Sequence, residues 1–142
     1  MSEGPAATLQ AFDAALNAHD LEGVMRLFAE SAVVRYVPAP PPPSPATYVG
    51  KGEVRTLIER LIAENIRVEP EQYEAEGERV ISRDRKTCAA GHEKLGCNPV
   101  ILTCEAIVHR GRIEEMTFAF SPESLARLRA AMVQRRQAER EM

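Results

Sequence analysis

After residue 62 the apolar residues of this chain stop recurring every three or four positions and begin to alternate, and that change of period limits what the chain can fold into. Upstream, "GKGEVRTLIERLIAEN" puts Val54, Leu57, Ile58, Leu61 and Ile62 on one helical face and leaves Glu53, Arg55, Glu59 and Arg60 for solvent. Downstream, the period of two predicts strands at about 66–76, 77–88, 99–109 and 112–120. The last two are joined by "HRGR", which supplies a glycine where a hairpin needs one.

The first third of the chain is read the same way. Leu9, Phe12 and Leu16 mark an amphipathic helix over about 6–18. Asp20 is an N-cap for a second helix, "LEGVMRLFAE", with Leu21, Val24, Met25 and Phe28 on one face, and "SAVVRYV" then reads as a strand of about 32–37. In "PAPPPPSP", residues 38–45, six of eight positions lack a backbone donor, so a stiff loop over 38–47 is expected. Its P-x-x-P would suit an aromatic-groove module, and a surface loop or lid edge is the simpler reading. Ser121 and Pro122 start a last helix, 122–142, whose far end is almost wholly charged and is expected to fray. Helices gathered on one side of an antiparallel sheet make an α+β fold, here one domain over 1–142.

Composition excludes several function classes. At 44% hydrophobic and 27% charged residues, neither disorder nor a membrane protein is indicated. The net charge of −3 and the scattered basic residues give no stripe for nucleic acid. No stretch approaches the roughly 18 apolar residues of a membrane span, and the first residues lack a basic and apolar leader, so a cytoplasmic protein is expected. Cys88, Cys97 and Cys104 are an odd count that suits a reducing compartment. With His92, the first two form C-x3-H-x4-C, which offers only three local ligands, and no metal site is expected.

Three stretches carry a family resemblance: "FDAALNAHDLEGVMRLFAESAVVRYV", "YVGKGEVRTLIERLI" and "VILTCEAIVHRGRIEEMTFAF". Over about residues 8–120 the chain resembles the nuclear-transport-factor-2-like superfamily, in particular its SnoaL-like branch, which includes polyketide cyclases and stands near ketosteroid isomerase. The resemblance implies a cone, in which a bent antiparallel sheet wraps the helices around a pocket. "RIEEMTFAF" would then point Met116, Phe118 and Phe120 into that pocket, beside Phe12, Tyr36, Cys104, Ala106 and Val108. Relatives commonly dimerise through the convex face, here Thr103, Glu105, Ile107, Glu115, Thr117 and Ala119, which implies a homodimer.

The same resemblance says which catalytic groups are missing. Ketosteroid isomerases use a tyrosine, an aspartate base and a protonated aspartic acid, and those places hold Phe12, Tyr36 and Cys104 or its neighbour. SnoaL-like cyclases commonly carry an aspartate after an aromatic residue on the last strand, where this chain has Thr117 and Phe118. Substitutes among residues expected to face inward are Tyr36, Asp84 and Glu114. Asp84, between Arg83 and Arg85, also reads as an exposed, salt-bridged strand end, and Glu114 as a solvated turn residue. His19 reads as a helix C-terminal cap, and His92 and His109 as turn residues. Two functions follow: a domain that binds a small hydrophobic molecule without the usual catalytic acids, or a cofactor-independent acid/base enzyme acting on a hydrophobic carbonyl or polycyclic compound.

Overall fold

A computed structural model describes residues 4–40, 45–87 and 99–141. The elements run α1 (Pro5–Asn17), α2 (Leu21–Met25), β1 (Phe28–Val37), β2 (Thr47–Val49), α3 (Gly50–Ala63), β3 (Arg67–Glu76), β4 (Arg79–Thr87), β5 (Val100–His109), β6 (Arg112–Phe120) and α4 (Pro122–Glu141). The six strands form one sheet in the order β2-β1-β6-β5-β4-β3. Every neighbouring pair is antiparallel except β1 and β6, which are parallel. The expectation of a purely antiparallel sheet is corrected at that pair. The chain between β1 and β6 holds a helix and four strands, long enough to re-enter in the same direction.

α1 packs on β3, β4 and β5, and α3 packs on β1, so both helices lie on one face of the sheet. Leu9, Phe12 and Leu16 from α1 and Val54, Leu57, Ile58 and Leu61 from α3 are buried against it. Each such side chain contributes about 1.5–3 kcal/mol by leaving water. Asp20 caps α2 through Oδ1, which accepts from Gly23 N–H at 3.0 Å. A Cβ at residue 23 would lie 2.2 Å from that same carboxylate, so the cap requires glycine there. The β5–β6 hairpin turns on Arg110 and Gly111, both at positive φ, as a two-residue turn of the primed kind demands.

Two boundaries differ from the sequence expectation. The second helix ends at Met25, and Phe28 already belongs to β1. Leu21, Val24, Met25 and Phe28 fit a helical face, but Ile113 N–H takes the Leu27 carbonyl at 2.7 Å, so the sheet claims this backbone. Residue 47 is also not loop: Thr47 begins β2, and just before it the Ala46 carbonyl accepts from Tyr36 N–H at 2.9 Å. α4 docks by its first turn, where Ser124 is buried and its Oγ accepts from Ile101 N–H at 2.9 Å. The helix continues to Glu141 as a largely exposed rod. Among the described residues, no helix is long and apolar enough to cross a membrane.

Candidate functional site

Cross-strand register builds the site in rows. Tyr36, Phe118, Cys104, Ser82 and Tyr73 are successive neighbours on β1, β6, β5, β4 and β3. The next row outward holds Phe120, Leu102, Asp84 and Pro70, and the one after it Val100, Lys86 and Val68. Along β4 the inward positions are Val80, Ser82, Asp84 and Lys86, all buried, while Arg83 and Arg85 are exposed. One face of a single strand thus passes from apolar to hydroxyl to carboxyl to amine.

α1 closes over these rows with Phe12, Asp13 and Leu16. Between helix and sheet lies a cavity of about 20 Å³, lined by Phe12, Asp13, Tyr36, Asp84, Lys86 and Phe118 among others. That is space for about one water molecule. Its wall is mostly apolar, yet three ionisable side chains reach it with little exposure: Asp13 at 4%, Asp84 at 2% and Lys86 at 7%.

Burial dominates the chemistry of both carboxyls. Asp13 is pushed up to about 7, mainly by loss of water and slightly by the charge of Asp84, against the opposing hydrogen bond from Tyr73 Oη at 2.6 Å. Asp84 is pushed up to about 6 by burial, against the bond its Oδ1 accepts from Ser82 Oγ at 3.0 Å. Tyr73 and Cys104 are pushed up as well, chiefly by burial, so phenol and thiol stay neutral. As pH rises toward neutrality Asp84 therefore gives up its proton before Asp13 does. Lys86 Nζ sits 5.8 Å from the centroid of the Tyr36 ring, close enough for a cation–π contact.

The residues singled out in the sequence separate into three groups. Phe12, Tyr36, Phe118 and Asp84 line the cavity. Phe120 stacks on Tyr36 with ring centroids 6.2 Å apart. Cys104, Ala106, Val108 and Met116 are buried in the closed core, not among the cavity's lining. They sit on the rows of Phe118, Val34 and Ile113, toward the end of the sheet where buried Phe28 pairs with Ile113. Glu114 is not an inward residue: a bulge pairs Ile107 with Glu115 and Val108 with Ile113, so Ile113 turns inward and Glu114 has no cross-strand partner. Asp84 is not the exposed strand end its arginine neighbours suggested, because alternation sends those arginines to the other face. His19 reaches past the helices to the Ile66 carbonyl, with Nε2 at 2.9 Å, and His109 pairs with Glu78. Cys88, His92 and Cys97 lie outside the described residues.

Asp13, Ser82, Tyr73 and Lys86 went unrecognised in the sequence, and two of them left a signal there. Asp13 falls between Leu9 and Leu16 on the apolar stripe of α1, where a carboxylate needs a reason. Lys86 has the parity of Val80, the most buried residue of its strand.

A profile of the SnoaL-like domain matches residues 9–116, most of the chain and all the elements from α1 into β6 that frame the cavity. The chain belongs to the SnoaL-like domain family. Solved structures agree on the fold of this SnoaL-like chain. An NTF2-like protein of unknown function from Mesorhizobium loti is 24% identical over 82% of this chain and 90% of its own, with a TM-score of 0.67. An LEH-like epoxide hydrolase of M. tuberculosis is 18% identical over 91% and 92%, at 0.68. A putative polyketide cyclase from Sinorhizobium meliloti is 19% identical over 79% and 93%, at 0.63. No curated protein matches it in sequence.

Proposed function

We propose that this SnoaL-like domain is an acid/base enzyme that moves a proton on a small hydrophobic carbonyl compound, with Asp13 and Asp84 as its working pair. The observation that carries this reading is the burial of two carboxyls from different elements at one apolar cavity, with values of about 7 and about 6. A general base works best with a value near the operating pH, and a second carboxyl that keeps its proton is the matching acid. The ionised member takes a proton from carbon beside the carbonyl. The protonated member returns one to the product, so the pair again holds one proton, now on the other carboxyl, and the two exchange protons with solvent or take the reverse roles in the next turnover. The names of two similar structures, a polyketide cyclase and an epoxide hydrolase, supply analogy of fold and no more.

The mostly apolar wall of the cavity also suits a second reading, a binding domain without chemistry. At about 20 Å³ it holds no organic molecule as it stands, so Phe118 and Phe120, both only partly buried, must swing aside for either function. One experiment separates the two. Cyclic and aromatic ketones are incubated with the protein in deuterated water, and deuterium beside the carbonyl is followed by mass spectrometry. The enzyme reading expects exchange well above buffer, lost in Asp13→Asn and Asp84→Asn. Ketones that bind without exchanging would establish the binding domain instead.

A further inference from the structure

We infer that Tyr73 is the path by which the buried Asp13 carboxyl exchanges its proton with solvent, and, in a second half that rests on the acid/base reading, the positioning residue that renews this proton between turnovers. Asp13 and Asp84 are almost wholly buried, and so is Ser82, which bonds Asp84. The cavity that the two carboxyls share has room for about one water molecule. Tyr73 is placed differently. It is only partly buried, it lies on the edge strand β3 between the exposed Gln72 and Glu74, and its Oη donates to Asp13 Oδ2 at 2.6 Å. One side chain thus joins a wet strand edge to a dry carboxyl.

A phenolic hydroxyl both donates and accepts, so it can take a proton on one side while it gives one on the other. A hydronium ion or buffer acid at the strand edge protonates Tyr73 Oη, the Tyr73 O–H bond breaks, and its proton bonds to Asp13 Oδ2. The reverse sequence carries a proton out. The phenol is neutral before and after, and the ionised form that burial and the Asp13 bond oppose is never formed. The other titratable groups around the carboxyls are Cys104, Tyr36 and Lys86, all buried. Among the described residues, Tyr73 alone hydrogen-bonds the Asp13 side chain. In the acid/base reading Asp13 gives its proton to the product while Asp84 takes one from the substrate. A closed pair could return only that substrate proton, and Tyr73 replaces it with one from solvent.

Two measurements test the two halves. In protein labelled with carbon-13 aspartate, the Asp13 carboxyl is held at the midpoint of its own titration, and relaxation dispersion reads its rate of proton exchange. Tyr73→Phe should lower that rate on the order of tenfold, and Tyr73→Leu serves if Tyr73→Phe does not fold. An unchanged rate would overturn the inference. Asn17→Ala, which cuts the other side-chain bonds between α1 and β3, should leave the rate near wild type. A loss as large there would trace the effect to strand placement and overturn it too. For the second half, optically pure 2-phenylcyclohexanone is racemised in deuterated water. Wild type should place about one deuterium at carbon 2 for each molecule inverted, and Tyr73→Phe far less, because substrate protons are returned. Equal ratios would overturn this half. A slowed carboxyl in Tyr73→Phe without any racemisation by wild type would leave the path standing and remove the acid/base reading. Racemisation with an unchanged carboxyl rate would do the reverse.

Discussion

Tyr73 Oη donates a 2.6 Å hydrogen bond to Asp13 Oδ2 and so ties the outermost strand of the sheet to the first helix. One turn along α1, Asn17 grips the same strand twice: Nδ2 donates to Val68 O at 2.8 Å, and Val68 N–H donates to Oδ1 at 2.7 Å. An edge strand with few buried residues is held over the cavity by side-chain amide and carboxyl groups.

Removing that hydroxyl tests its role. Tyr73→Phe should cost about 1 kcal/mol of stability, and more at pH 8 than at pH 5, because a bond to an ionised carboxylate is stronger than one to its acid. Urea unfolding at the two pH values measures both. An equal cost at both would mean that Asp13 does not change its charge between them.

Stability should fall as pH rises from about 4 to about 7. An unfolded aspartate titrates near 3.9. Asp13 and Asp84, at about 7 and about 6, keep their protons longer when folded, so the folded chain binds more protons across that window and loses stability as they leave. Asp13→Asn and Asp84→Asn should each flatten the decline and at pH 8 be more stable than wild type, by an amount on the order of 2 kcal/mol. Thermal melts from pH 4 to 8 read this directly. A wild type that gains stability over the same range would contradict it.

The Tyr48 hydroxyl is buried and has no hydrogen-bond partner among the described residues. Its ring is 5% exposed and meets Tyr36 edge-on at 6.4 Å. Tyr48→Phe keeps the ring contact and removes an unsatisfied polar atom, so it should be neutral or stabilising by about 1 kcal/mol. A loss of more than that in urea unfolding would show that the hydroxyl is bonded.

The face of the sheet opposite the helices carries Thr103, Glu105, Thr117 and Ala119 together with two ion pairs, Arg35 with Glu115 at 3.0 Å and Arg79 with Glu105 at 2.5 Å. These arginines offset the carboxylates that would otherwise repel a second copy. We propose a two-fold homodimer through this face. Sedimentation should give twice 15.7 kDa for wild type and 15.7 kDa for Ala119→Arg. A single species at 15.7 kDa for wild type would rule the dimer out.

The fold could be read from periodicity because most elements obey one period throughout. It failed where two structures shared a pattern. Leu21, Val24, Met25 and Phe28 suit a helix or a helix followed by a strand, and only β6, nearly ninety residues later, decides between them. The bulge at Glu114 likewise reverses the parity of Ile113 without leaving a glycine or proline to announce it. At the site, Tyr36 and Phe118 were legible as large side chains on inward positions, whereas Asp84 read two ways, inward by alternation and exposed by its arginine neighbours, and only the sheet decides between them. Asp13 and Tyr73 become a pair only through a contact sixty residues apart, which no local pattern carries.

Asp13 and Asp84, two carboxyls buried at one apolar cavity, should titrate near 7 and near 6 rather than near 4. Carbon-13 labelling of the aspartate side chains, with NMR titration of the carboxyl shifts in wild type, Asp13→Asn and Asp84→Asn, tests it most directly. The expected result is two transitions, near 6 and near 7, that vanish one at a time in the variants. Transitions near 4 for both residues, as in an exposed aspartate, would contradict it.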